Sequence, residues 1–189
     1  EVDSIFEIGL TPNRADAASH LGVARDLRAL LNRNLKKVDL KNFQPGFKAS
    51  GINLKVENTK ACPRYTGLTI TGVKIGESPE WIKTRLRSIG LNPINNVVDI
   101  TNYVMHSLGQ PLHAYDLDEI KGHTVVVKNL PAGTEFITLD GEKRKLLESD
   151  LMVCNATEPM CMAGVYGGLE SGVQKNTRHI FLECAYFNP

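Results

Sequence analysis

Apolar positions recur along this chain in two rhythms, and the change from one to the other divides it. Near the start, Leu21, Ala24, Leu27 and Leu31 fall three, three and four apart, the spacing of one face of a helix. Thr11-Pro12 and then Asp16 offer cap and first-turn chemistry for it. A second helical face is carried by Trp81, Ile82, Arg85, Leu86 and Ile89. Ser78 is the expected cap there, with Pro79 at the first helical position, Glu80 in the first turn and Gly90 as the stop. A third face is Val97, Thr101, Val104, Met105 and Leu108. Asn95 or Asn96 caps its start, Gly109 follows its last apolar residue, and Pro111 prevents continuation. This predicts His113 in the loop just past that stop.

Elsewhere the pattern shortens to the runs and alternations of strands. They are expected at 2–10, 52–56, 67–75, 124–128, 136–139, 151–154, 160–165 and 179–186. Asp140-Gly141 after the fifth of these is a tight-hairpin signal. Helices are few and early, strands many and late, so the fold class is α+β, with mixed or antiparallel sheets and an N-terminal helical segment. The stretch 41–51, rich in lysine and in glycine- and proline-type breakers, reads as a linker. The predicted division is 1–45 and 46–189. A helix with one apolar face in the first part needs something to pack on.

Composition narrows the picture only by exclusion. An apolar share of 42% suffices for a real core. A net charge of +1 is too small for coating a polyanion, although it permits gripping one short end of a nucleic acid. There is no apolar run of about 18 residues and no signal-peptide pattern. The cysteines, at 62, 154, 161 and 184, form no CxxC pair, so no structural metal site is expected. Cys154 and Cys184 sit in apolar runs and read as small core residues of a protein from a reducing cytoplasm.

Some residues do not fit a purely structural pattern. His113 is either a loop histidine satisfied by nearby backbone or part of a site. Glu183 interrupts the apolar run Ile180-Phe181-Leu182; such a carboxylate is either on an exposed strand face or buried with a partner. Ala163 and Gly164 open a glycine-rich bend that leaves room for a ligand. Asp99 and Asn102 flank Thr101 on an otherwise apolar helix, and Thr101 and Asn102 either bond back to their own helix carbonyls or line a pocket. No GxGxxG, Walker lysine or nucleophile elbow is present.

The stretch NNVVDITNYVMHSLGQPLHAYD (95–116) resembles the B3/B4, or editing, domain of the β subunits of bacterial phenylalanine–tRNA ligases. So do CPRYTG (62–67), TLDGEKRKL with DLMV (138–146 and 150–153), AGVYGGLESGV (163–173) and FLECAYFNP (181–189). TPNRADAASHLGVARDL (11–27) resembles the end of the preceding structural module. The resemblance runs in order along nearly the whole chain. Because such β chains are several times longer and the first residue is Glu1, it implies an excised segment.

The resemblance implies that 46–189 hydrolyses the ester of mischarged tyrosyl-tRNA and meets the tRNA 3′ end. His113 would hold the terminal ribose or orient water, and Glu183 would accept the hydroxyl of the misattached tyrosine. Asn92, Thr101, Asn102, Ala163 and Gly164 would line the substrate site. Some relatives carry arginine where Asn92 stands, so a phosphate contact there would be weaker. Further site residues are expected after Pro189, and the piece alone would have an incomplete pocket. No cofactor is implied for the segment; the whole enzyme would use ATP and magnesium. Its partners would be tRNA, the α subunit and other modules of the β chain in a cytoplasmic α2β2 assembly without membrane contact. The competing reading, from another class, is a non-catalytic structural, tRNA-docking and subunit-interaction module.

Overall fold

A computed structural model describes residues 4–36, 38–47 and 51–188. By internal contacts the chain divides into two units, one holding 1–48 and 76–112, the other 49–75 and 113–189.

The first unit is helical. Helix α1 (His20–Leu31) begins at Ser19, whose hydroxyl accepts from the Gly22 amide at 3.0 Å. The cap is therefore Ser19 and not the Thr11–Asp16 stretch. Asp16 instead lies in a short 3-10 turn (Ala15–Ala17) and pairs with Arg14 at 3.0 Å. Helix α2 (Glu80–Ser88) buries Ile82 and Leu86 and is followed by Gly90 at φ +82°. Helix α3 (Asn96–Leu108) is capped by Asn95, which accepts from the amides of Val97 and Val98, and stops at Gly109 with φ +82°. Both ends match the pattern because both are local chemistry.

Ser78 does not cap α2. Its hydroxyl donates to Asp99 Oδ2 on α3 at 2.5 Å, while Asp99 Oδ1 accepts from the Ile94 amide at 2.8 Å. Asp99 is fully buried, so these bonds replace the water its carboxylate gives up. Trp81 and Tyr103 meet edge to face at 5.3 Å.

The strand expected at 2–10 begins outside the described residues, and 4–10 form none. Ile5, Phe6, Ile8 and Leu10 stay exposed. A strand requires a partner ladder, and no described residue supplies one.

The second unit contains all ten strands found among the described residues. β1 (Asn53–Val56), β4 (Thr124–Asn129), β7 (Leu151–Cys154), β8 (Pro159–Met162) and β9 (Tyr166–Gly167) form one sheet in that order. β1 and β4 are parallel and the other pairs antiparallel. β2 (Arg64–Thr71), β10 (His179–Tyr186) and β3 (His113–Asp116) form a second, antiparallel sheet. β5 (Glu135–Ile137) and β6 (Lys143–Lys145) make the predicted hairpin, turning at Gly141 with φ +80°. The α+β expectation holds.

Two local readings are corrected. His113 is not in a loop but opens β3. The run 160–165 is not one strand: it turns between Met162 and Val165, with Gly164 at φ +71°, and reverses into β9. The core contains Tyr65, Tyr115, Val125, Val127, Val153, Cys161 and Phe181. On β7, Val153 belongs to this cluster, whereas Met152 and Cys154 pack with Phe136 and Leu146 in another. A strand covered on both faces explains its unbroken apolar run.

Candidate functional site

Register brings together two residues that are far apart in sequence. On β3 and β10, His113 stands opposite Glu183 and Tyr115 opposite Phe181. On β2, Gly67 stands opposite Glu183 and Tyr65 opposite Ala185. Because side chains alternate, Tyr65, Gly67, His113, Tyr115, Phe181 and Glu183 share one face of this sheet. Directly opposed Cα atoms in an antiparallel pair lie about 4.5–5.5 Å apart, so His113 and Glu183 can reach one small group. Gly67 makes the arrangement possible: a Cβ there would come within 2.0 Å of Phe181 Cζ.

Glu183 is only 6% exposed, and no salt bridge reaches it among the described residues. Its partners are phenols. Tyr65 donates to Oε2 at 2.5 Å and Tyr115 donates to the same oxygen at 2.9 Å. Burial pushes the Glu183 carboxyl above its ordinary value, and the two phenols pull it back only in part. Burial beside this carboxylate pushes both phenols far up, so they remain donors. The Cys161 thiol, in the same neighbourhood, is pushed up to about 12 by burial first and Glu183 second, and remains a thiol.

His113 packs against Tyr115 with ring centroids 4.4 Å apart at 73°. Its Nε2 is the buried side-chain polar atom that lacks a hydrogen-bond partner among the described residues. Burial alone lowers the imidazole to about 4, so the ring is neutral at pH 7. A group of that basicity is a poor proton acceptor at neutral pH but still bonds a hydroxyl or water. Gly167 of β9 faces the ring, and a Cβ there would lie 3.2 Å from His113 Cε1 and 3.6 Å from Nε2.

The other predicted residues are placed as follows. Ala163 packs against the core cluster, and its amide donates to Leu151 O at 2.9 Å. Gly164 is exposed in the turn, with its α-carbon toward the Phe187 ring. Asn92, Thr101 and Asn102 belong to the helical unit. Asn92 is exposed; Thr101 and Asn102 are half-buried, and the Thr101 hydroxyl donates to Val98 O at 2.7 Å. Sequence reasoning missed Tyr65, Tyr115, Gly67 and Gly167. The signal was present in the alternation of His113-Ala114-Tyr115 and Tyr65-Thr66-Gly67, once these are recognised as strands. A cavity elsewhere in the strand unit is lined by Glu119, Glu135, Glu158 and Glu170 among others, a sign of charge unsuited to an RNA end.

A model of the B3/4 domain family matches residues 61–189. The chain belongs to the B3/4 domain family. Over 99% of its length it is 55% identical to the phenylalanine–tRNA ligase β subunit of Bacteroides fragilis, of which it covers 23%. It is also 55% identical to that of Porphyromonas gingivalis, over 100% of this chain and 24% of the relative. To that of Aquifex aeolicus it is 48% identical, over 99% of this chain and 24% of the relative. It thus spans about a quarter of the length of these curated relatives. The fold is similar to the crystal structure of an N-terminal fragment of the phenylalanyl-tRNA synthetase β subunit from Pyrococcus horikoshii. The TM-score is 0.57 at 17% identity, over 93% of this chain and 53% of the other.

Proposed function

We propose that this chain is the editing segment of a phenylalanine–tRNA ligase β subunit and that its strand unit hydrolyses the ester of mischarged tyrosyl-tRNA. The observation that carries the reading is Glu183, a buried carboxylate whose hydrogen-bond partners are phenols. Both donors meet at Oε2, and a carboxylate offers about four lone-pair sites. Oε1 is thus suited to a third phenolic hydroxyl, that of a substrate tyrosine. Phenylalanine brings no such donor and would leave the carboxylate facing an apolar ring edge.

The need for such a site follows from pocket physics. A pocket shaped for phenylalanine rejects the same ring carrying one hydroxyl by only about 10²-fold. A second site that requires the hydroxyl restores accuracy. In the hydrolysis, water oxygen bonds the ester carbonyl carbon, the bond from that carbon to the ribose oxygen breaks, and the ribose hydroxyl leaves with a proton. His113, neutral and with Nε2 unpartnered, orients the water or the ribose; it does not carry charge. An aminoacyl ester is already reactive, so positioning supplies the catalysis. ATP, magnesium, the α subunit and an α2β2 assembly would serve the whole enzyme.

The test is deacylation of purified tyrosyl-tRNA by this chain beside the full-length enzyme. Hydrolysis by the full-length enzyme above the spontaneous rate is expected. None would leave the docking-module reading. That second reading is favoured by Ile5 and Phe6, which are 68% and 81% exposed. It predicts that serine at both positions weakens assembly of the full-length enzyme while the melting of this chain is unchanged.

A further inference from the structure

We infer that Tyr65 and Tyr115 are positioning residues of this site, clamping Oε2 of Glu183 from two strands so that Oε1 alone is presented to a phenolic hydroxyl. The inference rests on the editing reading above and adds to it the residues that make Glu183 selective.

Three observations support it. The clamp is two-sided: Tyr65 comes from β2 and Tyr115 from β3, on either side of the β10 strand that carries Glu183. A carboxylate gripped at one oxygen from both sides cannot swing about its terminal bond without losing a bond in a buried site, which is costly. The clamp also serves as its own template, because two phenols already bond this carboxylate at 2.5 and 2.9 Å. Finally, the two phenolic hydrogen bonds oppose the burial of Glu183. No cation does so.

The groups that respond to the Glu183 charge come from several elements. They are Tyr65 on β2, Tyr115 on β3, Cys161 on β8 and Cys62 in the β1–β2 connection. His113 lies opposite on β3. Burial raises both thiols and holds the imidazole neutral. The two hydroxyls are therefore what offsets the burial of Glu183 and favours its acceptor form. Deleting either one moves the carboxyl further up, and the substrate hydroxyl then meets a protonated acid that competes as a donor.

The experiment uses the full-length enzyme with Tyr65→Phe, Tyr115→Phe and the pair together, each change deleting one hydroxyl and keeping the ring. Deacylation of tyrosyl-tRNA and of phenylalanyl-tRNA is followed across the acid and neutral range, with spontaneous hydrolysis subtracted. Each single variant is expected to shift the rising limb of the tyrosyl-tRNA profile upward, read as a roughly tenfold loss on its acid side that disappears at higher pH. The preference for tyrosyl- over phenylalanyl-tRNA should fall along with it. In a Glu183→Gln background, which cannot ionise, the same changes should leave the profile flat, since the effect runs through the carboxylate.

Equal loss for both substrates at every pH, with the limb unmoved, would assign the tyrosines to the core alone and overturn the inference while the editing reading stands. An unsubstituted enzyme that leaves tyrosyl-tRNA intact would overturn both. If the double variant fails to fold, isotope-edited infrared titration of the Glu183 carboxyl in the single variants decides. An upward shift supports the clamp, and an unmoved titration refutes it.

Discussion

At the scale of single residues, Glu183 and His113 carry opposite pH signatures although they stand opposite each other across one strand pair. His113 is lowered from 6.5 to about 4 by burial, so the unfolded chain takes up its proton first as pH falls. The stability that depends on its neutrality is complete above 6.5 and is lost on the way down to about 4. Glu183 is raised above 4.5 by burial, so the unfolded chain releases its proton first as pH rises, and stability falls with pH above that value. The two slopes oppose one another over the overlapping acid window. In Glu183→Gln the melting temperature should therefore climb more steeply with pH than in the parent. In His113→Asn the climb should be lost, a difference of roughly 1–3 kcal/mol across the window. Thermal melting across that range checks both, and parallel curves for all three proteins would mean the two side chains are solvated. Gly167→Ala belongs to this scale as well. Its methyl would lie against His113 Cε1 and Nε2 and within 2.9 Å of Leu139 Cδ1. Leu139 is half exposed and its flexible end can move, whereas the imidazole is packed on Tyr115. The expected result is a marked fall in tyrosyl-tRNA deacylation with little loss of melting temperature; full activity would show that substrate does not approach His113 from β9.

At the scale of elements, what could be read from sequence was what is settled within a few residues. The caps of α3 are Asn95 and Gly109, as its pattern implies, because an amide-accepting side chain and a left-handed stop act on their immediate neighbours. The Asp140-Gly141 hairpin was legible for the same reason. Ser78 was misread because its partner, Asp99, lies on the next helix. His113 was placed in a loop because the partner that makes its segment a strand is β10, at the far end of the chain. Of the candidate site, Glu183 and His113 stand out in the sequence as a carboxylate and an imidazole in apolar surroundings. The tyrosines that hold Glu183 do not, since an apolar-patterned tyrosine reads as core until the register is known. The Asp99 link gives an element-level prediction. Asp99→Ala would strand the Ser78 hydroxyl and the Ile94 amide and should destabilise the helical unit by roughly 1–3 kcal/mol. Far-UV circular dichroism melting should show the loss, and an unchanged transition would mean that water replaces the carboxylate at no cost.

For the whole molecule, the two units differ in content: one holds the helices and the exposed Ile5 and Phe6, the other the strands and a buried acceptor between phenols. The relatives that match this chain end to end are about four times as long, so the proposed selectivity is measured in the full-length enzyme. The direct measurement is the ratio of tyrosyl-tRNA to phenylalanyl-tRNA deacylation by the full-length enzyme with and without Glu183→Ala, with phenylalanine charging assayed in parallel. The bond from a phenolic hydroxyl to a carboxylate is worth about 1.5–3 kcal/mol, so tyrosyl-tRNA hydrolysis should slow roughly 10- to 100-fold. Phenylalanyl-tRNA should become relatively more vulnerable, because the cost of burying the carboxylate against its ring is gone, and charging should be untouched. Loss of both deacylations in equal proportion, leaving the ratio where it was, would contradict selection by the hydroxyl.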